Sequence, residues 1–267
     1  MRAPFAFSGL PFILLVFFLI TGSEAAPTST THNCSAHHYQ ETVTVDYVYD
    51  GGTIHLLDGR KLRLIGINTP EHGKKGKEDE PFYRAAKIQL QHIINITHGK
   101  LKLVYGEKKH DHFHRLLANI FTPEGVNISA ALLRKGLGYS IAIPPNIKFL
   151  ECYRDAERQA KNLKKGLWNH PFGQPIDVAV LKKSTSGFHQ VIGTVHRIGE
   201  NRSSYWLNLS PTFALRIAKK DLAYFDNYTP ASLLHKRIIA RGWIYKVKHE
   251  QRMSIQHPAL LQILNTD

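Results

Sequence analysis

The 267-residue chain has few of the residues that staple or anchor small proteins. It contains two cysteines, which excludes both a disulfide-dense scaffold and a four-cysteine zinc site. Beyond residue 20, no apolar stretch approaches the roughly 20 residues that a membrane-spanning helix needs. Acidic residues are also scarce, since 21 Asp and Glu stand against 35 Lys and Arg and leave a formal charge of +14. A polyanionic partner is therefore expected.

The remaining composition is that of a folded protein. Hydrophobic residues make up 43% of the chain and aromatic residues 10%, which excludes a disordered basic protein and supplies a packed core. The positive charge lies in both halves. Residues 26 to 170 carry 21 Lys and Arg with 14 Asp and Glu, and residues 171 to 267 carry 13 and 6, so each half has a net charge of +7. We expect both halves to approach the same anionic ligand.

The N-terminus predicts export. Arg2 precedes an apolar run from residue 10 to 20, and small residues follow at positions 23 to 26, a pattern typical of a signal peptide over residues 1 to 25. We expect a periplasmic or secreted protein with no stable membrane insertion after leader cleavage. Because that compartment is oxidising, Cys34 and Cys152 are candidates for a disulfide. Two unpaired thiols are the alternative.

The hydrophobic pattern predicts a mainly β protein with some α-helix, in the α+β class. After an N-terminal arm over residues 26 to 42, alternating residues separated by turn signals predict strands, and apolar residues at helical spacing predict three helices. The predicted helices cover residues 82 to 96, 129 to 135 and 149 to 165. Prolines at 171 and 175 mark a boundary, beyond which strands are predicted at residues 191 to 198, 205 to 209, 214 to 217 and 237 to 247. The pattern thus predicts domains at 43 to 170 and 171 to 267.

Five motifs occur in one fixed order along the first domain. They are VYDGGTI at 48 to 54, RLIGINTPE at 63 to 71, DHFHR at 111 to 115, Val126 and Asn127 with Leu132 and Gly136, and Ala156 and Glu157 with GLW at 166 to 168. Together they resemble the staphylococcal nuclease (thermonuclease) family over about residues 43 to 170. The resemblance implies a five-stranded OB-fold barrel with three helices. Residues 171 to 267 look like a second, small OB-like β domain.

The resemblance also implies a catalytic site. In that family a calcium ion and two arginines surround the scissile phosphate of DNA or RNA, and a glutamate handles the attacking water. Arg63 and Arg115 match the arginines, and Glu71 matches the glutamate. Planar guanidinium groups suit this role because they can meet phosphate oxygens bidentately and stay charged. The alternatives are surface charge or salt bridges for the arginines and a structural ion pair for the glutamate.

Two departures from the family concern the calcium ligands. Gly52 and Asn68 stand where the family has aspartates, so both anionic ligands are lost. Calcium binds mainly carboxylate and carbonyl oxygens, and the loss of two carboxylates makes the usual site doubtful. Thr69 and Asp50 are the remaining candidate ligands for a weak cation site, which would hold calcium, another divalent metal or none.

Other residues allow both a functional and a structural interpretation. His110, His112 and His114 alternate before Arg115, which suits zinc, copper or nickel, an acid or base near the phosphate, or solvated side chains. The lysines and the C-terminal aromatic residues are candidate nucleic-acid contacts, whose alternatives are solvated charge and core packing. These candidates are Lys74, Lys75, Trp206, Arg241 and Trp243.

The sequence therefore predicts an exported protein that acts on nucleic acid, a candidate phosphodiester hydrolase with an altered calcium site. The alternative is a catalytically silent nucleic-acid-binding protein that has lost its metal ligands. A third and lesser alternative is an exported protein that binds metal through histidines. No protein partner is predicted.

Overall fold

A computed structural model of the chain describes Met1 and residues 34 to 264, except residues 74, 75, 77 and 227. The predicted signal peptide apart from Met1, most of the N-terminal arm, Lys74 and Lys75 lie outside the described residues. From residue 34 onward, the described residues belong to one compact unit. In this part of the chain, no helix combines the length and the apolar character that crossing a bilayer requires.

Three α-helices and fifteen β-strands make up the regular structure of the described residues. The helices are α1 (Tyr83–Ile96), α2 (Ile128–Arg134) and α3 (Leu150–Asn162). The first seven strands are β1 (Glu41–Asp50), β2 (Thr53–Leu56), β3 (Lys61–Leu64), β4 (Ile67–Asn68), β5 (Lys100–His110), β6 (Leu116–Phe121) and β7 (Tyr139–Ser140). The others are β8 (Ile176–Asp177), β9 (Gly187–Thr194), β10 (Arg197–Glu200), β11 (Ser204–Ser210), β12 (Phe213–Ala218), β13 (Arg237–Val247), β14 (Glu250–Ser254) and β15 (Leu261–Leu264).

Five strands close into a barrel in the order β1-β2-β3-β6-β5. A two-residue turn at Gly51 and Gly52 joins β1 to β2, and β3 runs parallel to β6. The predicted OB-like five-stranded barrel with three helices is confirmed. Alternate residues such as Leu62 and Leu64 point into the core. The barrel thereby holds the ends of β1, β3 and β6 close together.

The helices pack on the barrel through the faces that their sequence spacing predicts. Helix α1 buries Ala86, Leu90, Ile93 and Ile94. Helix α2 starts at Asn127, whose side chain accepts a hydrogen bond from Ala130 N at 3.1 Å and so caps the helix. Helix α3 carries Cys152, which forms a disulfide with Cys34 across a Cα–Cα distance of 5.3 Å. This bond ties the chain just before the barrel to α3.

Strands β4 and β7 pair as a small two-stranded sheet, and the other eight strands form the second sheet, in the order β10-β11-β12-β14-β13-β9-β8 with β15 paired to β13. The additional β-rich region after residue 170 is therefore present, while its OB-like character stays a prediction. Strand β13 has the predicted bounds, but the single strand expected over residues 191 to 198 is split between β9 and β10. The hydrophobic core of the second sheet includes Leu150 from α3.

A buried ion pair joins the two regions. Arg241 on β13 donates from Nη1 to both carboxylate oxygens of Glu157 on α3, at 2.6 and 2.8 Å. The same carboxylate accepts from Ser140 N at 2.9 Å and lies 3.2 Å from Lys161 Nζ. Burial acts to raise the pKa of Glu157, but Arg241 and Lys161 overcome it and hold that pKa below its usual range.

Candidate functional site

Arg63 lies at the end of β3 with its guanidinium turned toward the β1–β2 turn. Nη1 donates to Gly52 O at 2.9 Å, and Nη2 donates to Ile67 O at 3.1 Å and to Asn68 Oδ1 at 3.3 Å. Strand pairing explains the position, because Arg63 lies opposite Thr53 directly after that turn. The residue is half-buried. Desolvation lowers the pKa of Arg63, and the charge of Asp50 acts against this shift.

Gly52 leaves the space that this guanidinium fills. A Cβ atom added at Gly52 would lie 1.7 Å from Arg63 Nη1 and 3.4 Å from Thr69 Oγ1. The neighbouring Asp50 side chain folds back, and its Oδ1 accepts from Gly52 N at 2.8 Å. Any side chain at position 52 would therefore force Arg63 away from its three oxygen partners.

Arg115 is held by a loop that Asp111 organises. One oxygen of Asp111 accepts the backbone N–H groups of Phe113 and Arg115 at 2.9 and 3.0 Å, and the other accepts Arg115 Nε at 2.8 Å. Arg115 Nη1 also lies 3.5 Å from Thr53 Oγ1, on the strand beside Arg63. The Arg115 side chain stays 27% exposed, so a ligand can still reach its guanidinium.

Glu71 follows β4 and is exposed. Its backbone N–H donates to Glu80 Oε2 at 2.7 Å, which fixes the start of the loop. Burial raises the pKa of Glu80. The charges of Asp50, Glu71 and Arg115 all act on the Arg63 guanidinium. Glu71 and Arg115 thus lie close enough to Arg63 for their charges to act on its pKa, and their joint role in one site stays a prediction.

The residues at this site do not fit calcium. Gly52 offers no side-chain oxygen, and both its carbonyl and Asn68 Oδ1 accept hydrogen bonds from Arg63. Thr69 is buried beside Gly51, and Asp50 Oδ1 accepts a hydrogen bond from Gly52 N in the turn between β1 and β2. Throughout the described part of the chain, no three His, Cys, Asp or Glu side chains come together as a metal site, and this includes the stretch from His110 to His114. The Arg63 guanidinium nevertheless places a positive charge at this position.

The C-terminal candidates lie in the second sheet. Trp243 is 40% exposed and Trp206 is half-buried. Arg241 is only 11% exposed, and the ion pair with Glu157 occupies its guanidinium. The structure thus places the two tryptophans within reach of a ligand and places Arg241 between the two sheets.

Sequence reasoning did not give Asp111, Thr53 and Glu80 roles as the partners that hold the site residues in place. For Asp111 a signal existed, since an aspartate four residues before an arginine can pair with it across a tight loop. Glu80 gave no such signal, because its bond to Glu71 N joins two ends of a loop nine residues apart. The burial of the Arg63 guanidinium against Gly52 follows only from the three-dimensional arrangement.

Comparisons with known proteins place this chain among relatives of one family. Residues 61 to 170 match the family described as Staphylococcal nuclease homologue. Thermonuclease of Staphylococcus hyicus is 31% identical over 135 residues, which are 49% of this chain and 78% of the relative. Endonuclease YncB of Bacillus subtilis is 30% identical over 132 residues, 48% of this chain and 61% of that protein. Thermonuclease of Staphylococcus intermedius is 28% identical over 160 residues, 58% of this chain and 90% of the relative.

Proposed function

The chain belongs to the staphylococcal nuclease family, and from this we propose that it is an exported nucleic-acid phosphodiester hydrolase that works without calcium. Relatives named thermonuclease and endonuclease support the substrate class. The observation that supports the proposal is the Arg63 guanidinium, which lies against the lost ligand positions Gly52 and Asn68, with Arg115 reaching Thr53 on the neighbouring strand.

Each of the three side chains has a role in this proposal. Arg115, held by Asp111, binds the phosphate oxygens that gain charge in the transition state. Glu71 accepts a proton from the water that attacks phosphorus, and the bond from phosphorus to the 5′ oxygen breaks, with solvent protonating the leaving oxygen. Arg63 contributes positive charge from behind the site, because its hydrogen bonds go to protein oxygens.

A second candidate function is supported by those same hydrogen bonds of Arg63. If all of its donors serve the protein, Arg115 alone contacts the phosphate, and the site binds nucleic acid without cleaving it. This is the catalytically silent alternative. Its signature is salt-sensitive binding with no product.

The test is a cleavage assay on the full chain with labelled single-stranded DNA and RNA, in calcium and in chelator. We expect equal rates in both conditions and a loss of about 100- to 1,000-fold for Arg115→Ala. Glu71→Gln should lower the rate without weakening binding. Arg154→Ala, an exposed arginine on α3, is the control and should cleave like the parent.

Each other outcome has a clear meaning. Cleavage that depends on calcium contradicts the calcium-free site. Salt-sensitive binding without any cleavage supports the silent alternative. No binding at all rejects both.

Export is a separate part of the proposal, and it rests on the residue pattern before position 26 and on the disulfide between Cys34 and Cys152. Sequencing the N-terminus of protein recovered from an exporting host should give a start near residue 26. Intact protein that begins at Met1 and stays with the cells would contradict export.

A further inference from the structure

The second sheet carries aromatic and arginine side chains on one face, which is covered near Arg241 and Phe188 and exposed beyond them. Trp206 on β11 pairs with Arg216 on β12, and Arg216 pairs with Ser254 on β14. On the other side of β14, Arg252 pairs with Tyr245 of β13. Paired residues share a face of a sheet, and so does every second residue along a strand.

We call this set the arginine–aromatic strip, and it consists of Trp206, Arg216, Arg252, Tyr245 and Trp243. The intervening residues confirm the assignment of faces, because all of them are buried in the core. They are Leu207, Leu215, Met253 and Ile244.

The strip is continuous across four neighbouring strands. The Arg252 guanidinium lies over the Trp206 ring, 4.6 Å from its centroid. Trp243 packs edge-on against Phe188 at 5.0 Å but remains 40% exposed, and Tyr245 is 37% exposed. Three strand spacings separate Trp206 from Tyr245, a distance of about 14 Å. The strip is long enough for several nucleotides.

The charge on the strip suits a polyanion. It contains two arginines, of which Arg252 pairs with Glu250 at 2.8 Å and Arg216 lies close enough for its charge to act on Asp221. Arg197, opposite Asn208 on the same side, adds a third cation at the edge of the sheet. The region after residue 170 has a net charge of +7. Phosphate groups would therefore be attracted to this face.

We propose that the arginine–aromatic strip binds single-stranded nucleic acid, with bases stacked on Trp206, Tyr245 and Trp243 and the backbone along Arg216 and Arg252. Unpaired bases have free ring faces, whereas bases in a duplex stack on one another, so a flat aromatic surface favours single strands. This inference rests on the proposed function for its ligand class. It adds a second contact region, on a sheet separate from the site of Arg115.

The experiment titrates the full chain with a twelve-nucleotide oligothymidylate and follows tryptophan fluorescence at low salt. Trp168 is only 8% exposed, so quenching by a bound strand should come mainly from Trp206 and Trp243. We expect Trp243→Ala with Tyr245→Ala to weaken binding at least tenfold. Because both side chains are exposed, the double variant should keep its core, and a circular dichroism melt verifies the fold.

A second double variant removes the two arginine charges of the strip and leaves its aromatic side chains in place. Arg216→Gln with Arg252→Gln should lower the slope of log affinity against log salt by about 1.4, since each phosphate contact on a single strand contributes about 0.7. The matched control is Arg154→Gln with Arg158→Gln on α3, which removes the same charge elsewhere and should leave the slope unchanged. A duplex of equal length should bind more weakly than the single strand.

The results separate this inference from the proposed function. Strip variants that bind single strands like the parent overturn the inference, and so does a duplex that binds equally well. If Arg115→Ala abolishes cleavage while the strip variants bind normally, the proposed function stands alone. If the parent binds through the strip but never cleaves, only the hydrolase proposal fails.

Discussion

The barrel and the arginine–aromatic strip of the second sheet use arginine in different ways. In the barrel, Arg63 and Arg115 are each held by oxygen atoms of the protein at 2.8 to 3.5 Å around one site. In the second sheet, Arg216 and Arg252 lie on an open face beside aromatic rings. Fixed guanidinium groups can stabilise charge at one point, whereas cations spread over a face follow a chain of phosphates. Both regions thus suit one polymer, but with different contacts.

The first prediction asks whether the two regions fold separately, as domains at 43 to 170 and 171 to 267 would. Glu157→Gln removes the charge that compensates Arg241 between the sheets and should cost about 3–5 kcal/mol of unfolding free energy. Urea denaturation measures it. Glu151→Gln on the same helix breaks an exposed pair with Arg154 and should cost less than about 1 kcal/mol. Equal losses of unfolding free energy in the two variants would show that the pair of Glu157 and Arg241 contributes nothing to stability.

The second prediction concerns the disulfide between Cys34 and Cys152, which has no counterpart in the second sheet. Cys34→Ala with Cys152→Ala should lower the unfolding free energy by about 2–4 kcal/mol, because the disulfide closes a loop between residues 118 apart in sequence. Urea denaturation of parent and variant measures the loss. A reducing agent should lower the stability of the parent and leave the variant unchanged. A variant as stable as the oxidised parent would contradict the expectation.

The third prediction compares one glycine in each region. Gly52→Ala places a methyl group against the Arg63 guanidinium and should cost about 1–3 kcal/mol, together with cleavage activity if the proposed site is correct. Gly199→Ala in β10 is the matched control, since its Cβ would meet only Trp206 Cβ at 3.8 Å. Calorimetric melting measures both. If Gly52→Ala is as mild as the control, Arg63 is not confined as described.

The fourth and smallest effect is a difference in pH dependence. Burial lowers the pKa of His189 on β9, so the unfolded chain binds the proton first and stability falls as the pH drops below about 6.5. His189→Asn should show a shallower loss of unfolding free energy between pH 7 and 5.

Asp111 in the barrel should affect stability at a lower pH than His189 does. Burial acts against ionisation, but hydrogen bonds from Arg115 hold the pKa of Asp111 below its usual value. Its contribution is therefore present above about pH 3.9 and is lost only as the pH falls through the lower folded value. Asp111→Asn should change the pH dependence only in that acidic range. A change in slope near pH 6 for Asp111→Asn would contradict the assignment.

Much of the fold follows from local pattern. Helix α1 and strand β13 have nearly the predicted bounds, because long periodic runs mark them clearly. Strands β14 and β15 were not predicted. Each is short, and each depends on pairing with β13, which no local pattern reveals.

The site was predictable in identity and not in geometry. The ordered motifs single out Arg63, Glu71 and Arg115 as candidates, and the charges of Glu71 and Arg115 act on the pKa of Arg63, while their roles stay a prediction. The motif also exposes the loss of ligands at Gly52 and Asn68. It cannot show that Arg63 fills the vacated space, since this depends on strand pairing between β2 and β3. Likewise, the ion pair of Arg241 spans 84 residues of sequence.

The strand order also bears on whether strands of other chains can add to the edges of the sheets. A closed barrel presents no unpaired strand edge. The second sheet ends on β10 and β8, which are four and two residues long, and Arg197, Glu200 and Asp177 place charges along them. Short charged borders resist the addition of a foreign strand. The barrel and these two borders should therefore resist growth into fibrils, whereas the uncharged β15, paired only with β13, is the edge open to strand addition.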